Sequence, residues 1–192
     1  MQLREVRSVE EKQLDYSTKA RDTIYTALLQ LMQKKPYEKI TIKELTERAG
    51  VFRMAFYRNY LSKDHVLTAH LDHIFADYLK EVMASGDHQI SAIQERFFPY
   101  FRQHSEFLQA LVKADLDHLI YDKFAEYSKV LAKAVSSKVL KVAAIDYDIS
   151  KYEVAFASAG LASMLIEWAR GGMKESDEDM AAILYRLSGI HE

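Results

Sequence analysis

Glycine and proline are scarce in this chain. Six Gly and two Pro in 192 residues come to about 4%, where average usage is roughly 12%. Each such residue bends or ends a helix or opens a tight turn. A chain with so few is disfavoured as a sandwich, a barrel or a Gly-rich α/β fold, and favoured as long helices. Apolar side chains recur at helical spacing throughout, and no alternating run is long enough to suggest a strand. The expected fold is all-α, with about nine helices.

Hydrophobic residues at 49% and charged residues at 28% fit a globular chain rather than a disordered one. Cys is absent, which excludes disulfides, thiolate catalysis and Cys-ligated zinc. The opening MQLREVRSVEEKQLDYS has no apolar h-region, so no secretory signal is expected. No uncharged apolar run reaches the ~18 residues of a membrane span. The expected setting is the cytoplasm.

In the first helical segment Ala20, Ile24, Ala27, Leu28 and Leu31 share a face, with Ser17 as candidate N-cap and the Pro of KKP at 34–36 ending it. Thr41 and Glu44 form a T-x-x-E capping box for a short second helix with Ile42, Leu45 and Ala49 on one side. Gly50 permits the positive φ of a tight turn. A third short helix is predicted over Arg53–Asn59. Ser62 caps a fourth that starts at Lys63 and stops near Gly86. Residues 90–112, with a kink or break at Pro99, residues 116–143 and residues 150–170 also read as helical. The last of these opens on a Ser150–Glu153 box. Ser176 and Asp179 start a final helix.

The charge is uneven. Residues 17–65 hold ten Lys/Arg against five Asp/Glu, and residues 66–192 hold thirteen against nineteen. A basic front on an acidic body fits a chain whose front meets a polyanion. That front consists of three short helices, the second and third joined at Ala49-Gly50-Val51, which is the layout of a helix-turn-helix. Small Ala49 lets the helices meet closely. The third helix then presents its outer face to a major groove. Arg53, Arg58 and Asn59 offer donors there, and the Tyr57 hydroxyl can reach a phosphate. Phe56 and Tyr60 read as packing residues. Lys63, beside free N–H groups in the first turn of the fourth helix, is placed for a phosphate. Thr41, Lys43 and Lys19 complete the candidate set.

The stretch ITIKELTERAGVFRMAFYRNYLSKDHVL resembles the signature of the tetracycline-repressor (TetR) family. Its marks are a Thr-initiated second helix at Thr41, the turn Ala49-Gly50-Val51, the run Phe56-Tyr57-Arg58-Asn59-Tyr60, and Lys63-Asp64. The end segment LIEWARGGMKESDEDMAAIL is similar to the C-terminal helix pair of one subgroup. The resemblance implies a homodimeric transcriptional regulator, most often a repressor, that binds palindromic double-stranded DNA and responds to a small-molecule effector in its helical body. On this reading residues 1–16 are an arm, 17–63 bind DNA, and 64–192 sense and dimerise. The sequence departs from the family at Phe52, Arg53, Met54 and Ala55, where Ser, a variable residue and then Gly-Thr are usual. Two hydroxyls are lost. Met54 and Ala55 can instead touch thymine methyls. The same loss motivates a second reading, a TetR-fold coactivator that acts mainly through a protein partner and binds DNA weakly by itself.

Residues 154–166, VAFASAGLASMLI, carry no charge, and a helix apolar all round is buried all round. Ala155, Ala159 and Ala162, together with Met180, Ile183, Leu184 and Leu187 of the last helix, are the candidate dimer interface. Two heads about 34–36 Å apart would read successive major grooves. Phe97, Phe101, Phe107, Tyr121, Phe124, Phe156 and Trp168 are the aromatics that can line an effector pocket. His70 and His73, with Asp72 and Asp77 nearby, lack the Cys spacing or H-E-x-x-H of a zinc site and read as solvated, so no metal is expected. No cofactor is expected and no catalytic motif is present: there is no G-x-S-x-G, P-loop or Rossmann glycine pattern. Gly171-Gly172 reads as a helix C-cap.

Overall fold

The computed structural model describes residues 2–86, 90–139 and 147–188. Among the described residues it holds nine α-helices and no strand. The chain divides into two compact units, Met1–His70 and Leu71–Glu192. The division falls inside the fourth helix, seven residues beyond the boundary expected at Lys63.

The first unit opens with α1, Gln2–Met32. Residues 2–16 are therefore a continuation of this helix, and Ser17 lies within it rather than capping it. The preceding residues are mostly good helix formers with no breaker among them. The Ser17 hydroxyl donates instead to Asn59 Oδ1 at 2.7 Å. A 3-10 turn, Tyr37–Lys39, follows Pro36. Then come α2, Ile42–Ala49, and α3, Arg53–Asn59. Ile24, Leu28, Leu45 and Phe56 of these elements are fully buried, as are Val66 and Leu67 in the helix that follows.

Both ends of α2 are fastened locally. Thr41 Oγ1 accepts the Glu44 backbone N–H at 3.2 Å. The Glu44 carboxylate itself takes the Lys35 ammonium. At the other end Gly50 has φ +66. Its N–H reaches the Glu47 carbonyl at 3.3 Å, and Val51 N–H reaches the Thr46 carbonyl at 3.0 Å. These are the two bonds of a Schellman closure. Thr41→Ala is expected to lower stability by about 1 kcal/mol, read as a shift in the urea midpoint with an unchanged slope. A midpoint equal to that of the unmodified chain would remove the cap from the account of α2.

The fourth helix, α4, spans Lys63–Ala84. Ser62 Oγ accepts His65 N–H at 3.1 Å, as its cap position predicts. Gly86, just past the end, has φ +73. The second unit continues with α5, Ile90–Arg102, and α6, Ser105–Lys113. Pro99 sits inside α5; the chain breaks instead at Gln103 and His104. Next are α7, Asp117–Val139, α8, Tyr147–Arg170, and α9, Asp177–Ser188. Ser150 lies in the first turn of α8, not before it. Ser176 Oγ accepts Asp179 N–H at 3.0 Å, the expected cap of α9. Residues 140–143, the end of the stretch expected to be helical, lie outside the described residues.

α8 packs on α7 and α6, and α9 on α5. The buried face is ring-rich: Phe75, Phe97, Phe98, Phe101, Phe124 and Trp168 are each less than 5% exposed. Gly172 (φ +82) turns the chain after α8, with Met173 N–H on the Trp168 carbonyl at 2.7 Å. Arg102, the last residue of α5, holds this turn. Its guanidinium donates to Asp177 Oδ1 at 2.5 Å, the Met173 carbonyl at 3.0 Å and the Glu175 carbonyl at 2.5 Å. It also lies 4.5 Å from the centre of the Trp168 ring.

Candidate nucleic-acid interface and body cavity

α3 has two faces because its apolar residues fall on one side. Phe56 is fully buried and Tyr60 is 6% exposed, so both pack, as their spacing predicts. The other side carries Arg53, Met54, Tyr57 and Arg58, all exposed, with Ala55 half-buried. Met54 is 75% exposed and Tyr57 48%. Arg53 Nη2 donates to the Tyr57 hydroxyl at 3.2 Å, and its guanidinium sits 5.5 Å from that ring. The pair is one turn apart, the i,i+4 spacing that brings side chains together. Thr41 is exposed at the start of α2, and Lys43 in its first turn is 79% exposed beside Glu47 at 3.9 Å. Lys19 is exposed on α1.

Two of the expected DNA contacts are already occupied within the protein. The Asn59 amide donates to the Ala55 carbonyl at 2.8 Å, and its oxygen accepts from Ser17 and from Arg21 Nε at 3.2 Å. It joins α3 to α1. The Lys63 ammonium donates to the Tyr37 and Ile40 carbonyls at 2.6 and 3.1 Å and lies over the Tyr37 ring at 4.1 Å. An ammonium has three donors, so one remains. The Tyr37 hydroxyl donates to Asp64. Burial first, and then this bond and the carboxylate's charge, push its pKa well above the usual tyrosine value. Tyr37 is therefore neutral, and Lys63 and Asp64 both serve to hold the 3-10 turn against the start of α4.

Arg21 and Leu61 join this face without a local sequence signal, and Phe52 is more exposed than its position suggests. Arg21, through Asn59, brings a further cation to the end of α3. Phe52, at the N-cap position of α3, makes no capping bond and is 88% exposed, and Leu61 after α3 is 83% exposed. The Phe52 departure from the usual hydroxyl was visible in the sequence. Its full exposure was not.

The second unit carries a partly open cavity of about 60 Å³. Of the seven aromatics expected to line a pocket, Phe97, Phe101 and Phe124 do so, with Phe75, Tyr78, Leu79, Ile93, Tyr127, Ser128, Leu131 and Leu161. The others are elsewhere. Phe107 is 2% exposed in the core, and Trp168 packs edge-on against Phe98 under Arg102. The Tyr121 hydroxyl meets Ser163 Oγ at 2.9 Å on the surface. Phe156 is 82% exposed. All of these are rings at helical spacing, and spacing does not tell a cavity wall from a core or a surface.

The residues expected at a dimer interface also divide. Ala162, Met180 and Leu184 are 0%, 6% and 7% exposed, so they face the core of their own chain. Small Ala162 serves the close packing of α8 on its neighbours within one copy. Ala155, Ala159 and Leu187 are exposed, and Ile183 is half-buried. Phe156 and Tyr152, 82% and 69% exposed, join them on the uncovered part of α8. His70, expected to be solvated, instead stacks half-buried on Tyr25, with the ring centres 3.8 Å apart. Among the described residues no group of three or more His, Asp and Glu is gathered for a metal, and no helix is long and apolar enough to cross a membrane.

Residues 88–189 match the family model described as a transcriptional regulator C-terminal region, and residues 24–69 match that of bacterial regulatory proteins, tetR family. Among solved structures, a TetR transcriptional regulator from Streptococcus agalactiae 2603V is similar at 21% identity. It covers 94% of this chain and 98% of that one, with a TM-score of 0.65. The dihydroxyacetone kinase operon activator DhaS is similar at 18% identity, covering 88% and 93%, TM-score 0.55. The TetR family repressor AlkX from Dietzia sp. strain DQ12-45-1b is similar at 18%, covering 88% and 92%, TM-score 0.55. Comparison with curated proteins gives no match.

Proposed function

This chain belongs to the TetR family of bacterial transcriptional regulators, and from that we propose that it binds a palindromic operator as a homodimer and releases it when a small molecule enters its helical body. The observation that carries the DNA reading is the outer face of α3. It presents two guanidinium groups, a phenol and an exposed thioether on a helix whose opposite side is fixed by Phe56 and Tyr60. Arg53 and Arg58 are the base or phosphate donors, Tyr57 a phosphate contact, and Met54 and Ala55 the apolar contacts to thymine methyls. Lys43 and Thr41 flank the groove. Asn59 and Lys63 act chiefly by holding α3 and the 3-10 turn in place, and Lys63 retains one donor for a phosphate. The proposed dimer face is the uncovered side of α8 and α9, with Tyr152, Ala155, Phe156, Ala159 and Leu187. A repressor is the favoured sign; AlkX is named a repressor and DhaS an activator.

Fluorescence anisotropy with duplexes from the region upstream of the chain's own gene tests this. Arg53→Ala is expected to cost about 1–3 kcal/mol on the preferred duplex. Lys43→Ala should weaken all duplexes about equally and reduce the salt slope by about 1. If Arg53→Ala leaves the preferred duplex as tightly bound as before, α3 does not read DNA through this face.

A second reading rests on Phe52, Met54 and Leu61, which expose large apolar surface beside the cations. Such surface fits a protein partner. A coactivator of this kind would give no duplex shift at moderate salt and would retain a protein on purification.

A further inference from the structure

We propose that the effector of this chain is a neutral, one-ring aromatic compound carrying a single hydrogen-bonding group, held in the body cavity against Ser128. The proposal rests on the sensor reading above and names the chemistry that the cavity selects.

Three observations lead there. First, no ionised side chain lines the cavity among the described residues; its wall is Phe, Tyr, Leu, Ile and one Ser. A charged guest would lose its water with nothing to replace it. Second, the polar groups in the wall are not equally available. The Tyr78 hydroxyl donates to the Ile93 carbonyl at 3.0 Å and the Tyr127 hydroxyl to the Asp72 carbonyl at 3.2 Å. Among the described residues Ser128 carries the remaining lining hydroxyl, and none of them hydrogen-bonds to it. One polar group on the guest is therefore matched by one on the wall. Third, the space and its shape suit a single ring. About 60 Å³ is less than half of the roughly 150 Å³ of an apolar cavity that takes up benzene, so a single ring is the most that the wall admits, and only as it yields. The rings of Phe75, Phe97, Phe101 and Phe124 already meet one another at centroid distances of 4.7–5.9 Å in tilted, edge-on and stacked pairs. These are the distances at which a further ring would be held. Leu79, Leu131 and Leu161 form the aliphatic part of the wall, which can yield by changing rotamer.

Isothermal titration of the full chain with phenol, toluene, benzoate and 2-naphthol provides the test. Phenol should bind saturably at one site per chain, at least tenfold tighter than benzoate or 2-naphthol. Ser128→Ala should lower the affinity for phenol about two- to tenfold, the range of one hydrogen bond, and leave that for toluene unchanged. Leu131→Trp, which fills the cavity, should abolish binding of both. Circular dichroism shows whether Leu131→Trp is folded; if it is not, the phenol-to-toluene ratio in Ser128→Ala decides. Benzoate or 2-naphthol binding as tightly as phenol, or a ratio unmoved by Ser128→Ala, overturns the proposal. Duplex binding is measured in the same samples. Absence of phenol binding in a chain that still binds its duplex overturns the effector class and leaves the DNA reading standing. Phenol binding without duplex release supports the effector class and overturns the switch.

Discussion

Phe156→Asp is expected to turn the proposed dimer into a species of 22.2 kDa and to weaken binding to the preferred duplex by about a hundredfold or more. Phe156 is 82% exposed in a single copy, near the start of the charge-free run 154–166. Burying a Phe side chain contributes about 1.5–3 kcal/mol. A two-fold interface uses each such residue twice, so a carboxylate at this position removes the gain twice and adds two buried charges that face each other. Duplex affinity falls because one short recognition helix contacts too few bases, whereas two tethered heads bind as a unit. Light scattering coupled to size exclusion measures the first effect and anisotropy the second. A variant that stays dimeric would move the interface away from α8. A monomer that keeps full duplex affinity would remove the need for two heads.

Phe98→Ala is expected to cost about 3–5 kcal/mol, a large part of the roughly 5–15 kcal/mol that holds a domain folded. Phe98 is fully buried, with its ring edge-on to Phe97 at 5.0 Å and to Trp168 at 5.4 Å. Its surroundings cannot close over the gap easily. Trp168 is fixed through its Nε1 on the Glu175 carbonyl at 3.3 Å, and Arg102 lies over the same ring. The space left behind therefore persists, which places the cost at the high end. Tyr121→Phe is the control: it removes one exposed hydroxyl contact and should change the urea midpoint by about 1 kcal/mol or less. A Phe98→Ala midpoint within the same margin would mean that the ring stack carries little of the stability.

What the sequence made legible was local. The caps at Thr41, Gly50, Ser62 and Ser176 each rest on bonds between residues three to five apart, so the pattern and the structure agree. α3 agrees from Arg53 to Asn59 because Phe56 and Tyr60 mark its buried side. Where bonds are long-range the pattern is silent. Ser17 reads as a cap until its partner, Asn59, is seen 42 residues away. Lys63 reads as a free cation until the Tyr37 and Ile40 carbonyls are found beneath it. Pro99 reads as a kink or break, yet α5 continues to Arg102, whose clasp on Met173, Glu175 and Asp177 holds the helix end that follows it. The rings of Phe107 and Trp168 carry the same periodic signal as Phe97 and Phe101. Only the fold separates filled space from open space.

Phe101 and Arg102 are neighbours on one rod, with adjacent tasks. The ring of the first forms part of a hollow wall, and the guanidinium of the second grips the bend from which α9 departs. On the sensor reading proposed above, a guest that presses on the ring would push on the rod, and the bend is bolted to its tip. On that reading, news of an occupied hollow would have one peptide bond to travel before it reached the last helix.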